Sequence, residues 1–150
     1  MFSLPEYFYD DYTPLPKYTL MSGFESSSEQ TVKYREECRT ILALSPKIRY
    51  VGIINRFGRT LAGQLRRGIV PFFKREEARN EFFIESIRNQ LRKSFESSIG
   101  KTAYSLTETE KVKIITITNE DKSYYITLDK DTSEEELSIT IKSIKHIIES

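Results

Sequence analysis

The histidine and the cysteine, side-chain types central to nucleophilic and metal chemistry, occur once each in this 150-residue sequence, as His146 and Cys38. A nucleophilic hydrolase needs a base beside its nucleophile. His146 falls in the last expected helix, beside an Ile144/Ile147/Ile148 face, and reads as a structural histidine. Cys38 falls in the first expected helix and reads as a small core or near-core residue. No Cys/His group has zinc spacing. The run Glu134-Glu135-Glu136 suggests a cation site, but acids at a helix start are explained by the helix dipole alone. Neither a GxGxxG nor a Walker-type glycine loop is present, so a nucleotide site lacks support. The expectation is a protein without catalytic residues, metal or cofactor.

The richer constellation is cationic. Arg56, Arg59, Arg66, Arg67, Lys74, Arg75, Arg79, Arg88, Arg92 and Lys93 crowd one part of the chain. Residues 47–101 hold thirteen Lys and Arg against five Glu, while residues 1–28 hold one Lys against four acids and residues 102–150 six basic against ten acidic. Such a field contacts phosphates, and neighbouring aromatics stack on bases. Glu76, Glu77, Glu81 and Glu85 interleave with these arginines, at spacings suited to ordinary pairing along a helix. A solvated face or protein interface is the first reading, and a nucleic-acid-associated factor using the Arg-rich surface is the alternative.

The elements that must position these residues are legible in outline. Helical spacing begins at Ser28 with Val32, Cys38, Ile41 and Leu42 near one face, and Pro46 ends it near Leu44. A hairpin follows: strand formers from Arg49 to Ile54, then Asn55-Arg56-Phe57-Gly58, then a second strand from Thr60 to Leu65. Asn opening a short loop and Gly accepting positive φ suit a hairpin of three to five loop residues. Gly68 and Pro71 break the chain into an apolar connector, Ile69 to Phe73. A long helix is expected from about Arg75 to Ser98, with Phe83, Ile87, Leu91 and Phe95, joined by Ala78 and Phe82, as a core-facing stripe, and Gly100 as its cap. Three strands are expected at about residues 102–108, 111–118 and 123–129, and a last helix starts at Ser133 with a Ser-x-x-Glu capping box to Glu136.

The order α-β-β-α-β-β-β-α gives an α+β fold, a five-stranded, mostly antiparallel sheet flanked by helices. In this order and with these lengths, residues 29–149 resemble the Roadblock/dynein light-chain family, of the longin- and profilin-like group. The resemblance is carried by the hairpin from Tyr50 through Asn55-Arg56-Phe57-Gly58 to Ala62, an apolar strand, a short loop ending in Gly and a second strand starting with small or apolar residues. It implies a homodimeric, non-enzymatic interaction or scaffold module regulating a small GTPase or a cytoskeletal or motility complex. Dimerisation is then expected through the second strand (Thr60, Ala62, Gln64) and the long helix (Arg79, Phe82, Phe83). Phe82 and Phe83 point about 100° apart, so one of them is expected outside the core as an anchor. A PAS- or profilin-like ligand-sensing domain is a further alternative, and it requires an apolar pocket behind Tyr124 or Tyr125.

Residues 1–28 read as a separate, acidic and aromatic arm, and residues 29–150 as a single domain. Pro5, Pro14 and Pro16 prevent a continuous helix in the arm. Tyr7, Phe8, Tyr9, Asp10, Asp11 and Tyr12 are its expected contact residues, lying against the domain or its dimer mate near Arg66, Arg67, Arg75 and Arg79. The amino terminus lacks the basic and apolar regions of a signal peptide, and apolar runs of four or five residues are too short to span a membrane. One cysteine in 150 residues suits a reducing, cytoplasmic setting.

Overall fold

A computed structural model describes residues 24–150. The arm residues Tyr7 to Tyr12 lie outside the described residues. Helix α1, Phe24–Leu42, begins ahead of the boundary expected at residue 29. The hairpin strands β1, Ile48–Ile54, and β2, Thr60–Leu65, follow. Their loop is organised by Asn55, whose Oδ1 accepts from the N–H groups of Phe57 (2.9 Å) and Arg59 (3.0 Å). Gly58 takes φ 83°, and its missing Cβ leaves room for the backbone of Phe82 and Phe83, about 2.9 Å from where a Cβ would stand. The loop is thereby seated on the long helix.

Helix α2, Arg75–Lys93, is shorter than its expected run to Ser98. At Ser94 both the N–H and the hydroxyl turn back to the Leu91 carbonyl, and this i→i−3 tightening ends the helix. A separate turn, α3, Glu96–Ile99, follows and is closed by Gly100 at φ 86°. Strand β3, Ser105–Glu108, covers only the second half of the expected segment, because residues 102–104 pair with no strand. Strands β4, Val112–Asn119, and β5, Lys122–Asp129, form a tight hairpin. Helix α4, Glu134–Glu149, starts at the expected cap: Ser133 Oγ accepts from Glu136 N–H (3.1 Å), and Glu136 Oε1 accepts from Ser133 N–H (2.9 Å). Those bonds and the Lys47 ammonium at 3.0 Å hold the Glu136 carboxyl down at about 2.

The sheet is antiparallel throughout, in the order β2-β1-β5-β4-β3. The period of two along each strand divides the core into two layers. Val51, Ile53, Ile115, Ile117, Tyr124, Ile126 and Leu128 face α1 and α4, where Cys38, Ile41, Leu137, Ile141 and Ile144 meet them. Tyr50, Ile54, Leu65, Val112, Ile114 and Tyr125 face α2, which contributes only Ala78 and Phe82. Three rings join this second layer: Phe82 stacks near Tyr50 at 6.4 Å and meets Tyr125 edge-on at 5.1 Å. Gly52 permits this, since a Cβ there would come within 2.7 Å of the Tyr50 hydroxyl lying over it.

Candidate functional site

Helix α2 turns a polar face to the sheet. The Tyr125 hydroxyl donates to Glu81 Oε2 at 2.6 Å, Asn89 Nδ2 donates to Ser123 Oγ, and Gln90 Nε2 reaches the Arg56 carbonyl at 2.9 Å. Burial and the Glu81 carboxylate push the Tyr125 hydroxyl's pKa upward, so it remains a donor. Glu85 is 3% exposed, with Oε1 3.4 Å from the Arg88 guanidinium and Oε2 without a hydrogen-bond partner. Its pKa is raised, first by burial and further by Glu81, against the opposing pull of Arg88 and Thr116.

A carboxyl with a raised folded-state pKa binds its proton more tightly in the folded chain. Its contribution is full below the unfolded value and is lost as pH climbs through the folded value. Glu85→Gln is therefore expected to stabilise the protein by about 1 kcal/mol at pH 7 and to change little at pH 4. Urea unfolding at the two pH values checks this, and a destabilisation at pH 7 that fades at pH 4 would show that the ionised carboxylate is needed.

The expected core stripe of α2 lies instead on the solvent side. Phe83, Ile84, Ile87, Leu91 and Phe95 are each at least 40% exposed, whereas Phe82, at 1%, is core. The i, i+4 spacing identified an apolar face correctly and assigned it to the wrong neighbour, since Glu81, Glu85 and Asn89 take the sheet side with polar partners. Of the residues expected at a dimer interface, Phe83 and Arg79 are exposed and Thr60 and Gln64 are half-buried. Ala62 and Phe82 are buried within the chain, where they pack against other core residues and are not available to a second copy. Strand β2 is an edge of the sheet, but α1 packs against it. The other edge, β3, carries an exposed Leu106 and has one neighbouring strand, β4. That edge was missed in the sequence, because β3 is four residues long and its rank in the sheet depends on long-range pairing.

The cationic residues do not form one field. Arg66 is half-buried: Nε donates to the Ile48 carbonyl at 2.6 Å and Nη2 to those of Leu42 (2.6 Å) and Ser45 (2.7 Å). It ties the end of α1 to the sheet, which corrects its place on the expected basic surface. Arg67, Lys74 and Arg75 are exposed near the end of β2, and Arg56 and Arg59 at its start, a strand's length of about 20 Å apart. Arg56 covers the Phe57 ring at 4.9 Å, Arg88 pairs with Glu85, Lys93 pairs with Asp121 at 3.6 Å, and Arg92 is exposed.

A groove of about 520 Å³ opens between α2, the connector at 71–73 and the β3–β4 hairpin. Tyr50, Leu65, Phe72, Phe73, Val112, Ile114 and Tyr125 form its walls, and Arg49, Arg88, Lys111, Glu81 and Glu110 stand among them. The Arg49 guanidinium lies 4.2 Å over the Phe72 ring and bonds to Asp129 and the Val70 carbonyl, which fixes the connector wall. The apolar pocket that a ligand-sensing domain requires thus exists beside Tyr125, while Tyr124 points to the other layer and donates to Glu37. Cys38 is fully buried, with its thiol pushed up to about 12 by burial, and His146 is exposed. Among the described residues no cluster of His, Cys, Asp or Glu could hold a metal ion, and no helix is long and apolar enough to cross a membrane.

No protein-family model matches the sequence, and no curated protein matches it. Solved structures do match in shape. Myxococcus xanthus MglB superposes with a TM-score of 0.63 at 10% identity, covering 80% of this chain and 87% of that one. The gliding protein mglB of Thermus thermophilus gives 0.62 at 13% identity, over 81% and 87%. A Roadblock/LC7 domain from Streptomyces avermitilis gives 0.52 at 11% identity, over 77% and 98%. The strand order, the two-layer core and these superpositions establish that the chain has the Roadblock/longin-like fold.

Proposed function

We propose that this chain is a non-enzymatic interaction module of the cytoplasm that works as a homodimer and regulates a small GTPase or a motility complex. The observation that carries the reading is the apolar stripe on the outer side of α2, Phe83, Ile84, Ile87 and Leu91, each at 40% exposure or more, followed by the exposed Phe95 just past the helix end. Such a band on a monomer's surface marks a protein interface. Self-association through α2, with the β3 edge beside it, covers the stripe and occupies the open strand edge. The edge expected at first, β2, is the less favoured of the two because α1 packs against it. Motility as the setting is supported by the gliding protein among the structural neighbours, and the GTPase by the family resemblance of the hairpin. The nucleic-acid reading is weakened by the separation and internal pairing of the cationic residues.

Light scattering at ~100 μM, well above typical dimer affinities, should give twice the 17.6 kDa chain mass. A strict monomer there removes the homodimer. Mass spectrometry of proteins retained by the dimer tests the partner class, and a set lacking both small GTPases and motility components removes that class.

A further inference from the structure

The layer of the core under α2 is hollow beside Tyr125. A rung of side chains crosses the whole sheet on that side, because the register sets Leu65 beside Tyr50, Tyr50 beside Thr127, Thr127 beside Ile114 and Ile114 beside Thr107. All five line the groove of about 520 Å³. Two features leave the rung uncovered. The Tyr50 ring, its largest side chain, lies back over Gly52. Helix α2 sends only Ala78 and Phe82 into this layer, and Phe82 is taken up by the Tyr50 and Tyr125 rings. The groove is walled by α2, the connector and the β3–β4 hairpin, and its volume falls in the range of small-molecule sites. We infer that it binds an uncharged, flat aromatic small molecule bearing a hydroxyl or carbonyl group.

Each part of that description answers to a feature of the walls. Rings line the groove from two elements, Phe72 and Phe73 from the connector and Tyr50 and Tyr125 from the sheet, and ring against ring is favoured beyond the area it buries. The Phe72 wall is already set by the Arg49 guanidinium over its ring. The charged groups around the groove are answered within the chain. Arg49 pairs with Asp129, Arg88 pairs with Glu85, and Glu81 accepts from the Tyr125 hydroxyl. At the exposed rim Glu110 stands next to Lys111, so neither sign prevails there. An ionised ligand would lose its hydration without gaining a partner, and a neutral one avoids that cost. The hydrogen-bonding group has its partners on the rung itself. The Thr109 hydroxyl is engaged by the backbone of Val112, whereas the Thr107 and Thr127 hydroxyls have no partner among the described residues. The site lies on the sheet side of α2, away from the outer stripe, so ligand binding and self-association are separate claims.

Titration of the full, isotope-labelled chain with 2-naphthol, followed by its amide resonances, tests the inference. Saturable binding of one molecule per chain is expected, with shifts concentrated at Leu65, Val112, Ile114 and Thr127 and absent from α4, on the opposite face of the sheet. Thr107→Trp, at the exposed end of the rung, should fill the groove there and weaken binding at least tenfold. Thr127→Val keeps the side-chain shape and removes only the hydroxyl, and should weaken binding about fivefold, the worth of one hydrogen bond. Shifts that never saturate and spread over the surface, or both variants binding as the unaltered chain does, would overturn the inference. Equal affinity for 2-naphthoate would overturn the neutral ligand, and equal affinity for 1-octanol the aromatic one. Light scattering on the same samples records the chain mass, so the absence of a dimer and the absence of a ligand site are read apart.

Discussion

A Leu91→Glu chain is expected to run as a 17.6 kDa monomer at concentrations where the unaltered chain is dimeric. Leu91 is 60% exposed and lies on the outer stripe of α2, one turn beyond Ile87. A carboxylate there must be desolvated against the apolar side chains of a second copy. Well-packed interface residues cost about 2–4 kcal/mol when lost, and each 1.4 kcal/mol is tenfold in affinity, so the dimer constant should weaken by roughly 30- to 700-fold. The fold itself should hardly notice. Arg88, one turn before the position, offers the new carboxylate a local partner, and exposed substitutions of this kind stay within about 0.5 kcal/mol. Sedimentation velocity across a dilution series reads the change in mass, and circular dichroism verifies the fold. A variant that remains a dimer would move the interface away from α2.

The sequence read well wherever a local rule had one outcome. Asn55 and Gly58 specify the hairpin loop through bonds within five residues, and Ser133 with Glu136 specifies the start of α4 in the same way. The strand pair β4–β5 followed from alternation that both layers of the core use. What could not be read was the direction in which α2 faces. Periodicity reveals that an apolar face exists, and says nothing about whether the sheet or a second molecule meets it. The deciding bonds are Glu81 to Tyr125 and Asn89 to Ser123, 44 and 34 residues apart in the chain. Arg66 was hidden for the same reason. It looks like its neighbour Arg67 in sequence, yet its three carbonyl partners come from segments 18 to 24 residues earlier. The groove was equally invisible, since its walls come from the connector, α2 and two strands.

Phe82→Ala should be the most damaging single truncation of α2, and Phe83→Ala beside it should be nearly silent in the monomer. Phe82 is 1% exposed and is the only large apolar side chain that α2 contributes to its layer of the core, with Ala78 as its companion. Removing a buried Phe ring costs about 3–5 kcal/mol, part from transfer and part from the cavity left behind. Here the cavity opens between Tyr50 and Tyr125, and both ring contacts, at 6.4 and 5.1 Å, are lost with it. The remaining ties of α2 to the sheet are mostly polar, and a typical hydrogen bond contributes only about 1 kcal/mol net. The helix should therefore open locally before the α1/α4 layer unfolds, with faster amide exchange in residues 75–93 than in β4 and β5. Phe83 makes no such commitment to the core, being 56% exposed, so its truncation should cost less than about 1 kcal/mol. Unfolding must be followed at protein concentrations below the dimer constant, because Phe83 belongs to the outer stripe and its loss would otherwise register through association. If the two alanine variants unfold at the same denaturant concentration under those conditions, α2 is rotated from the orientation described, and the stripe on its outer side loses its meaning as an interface.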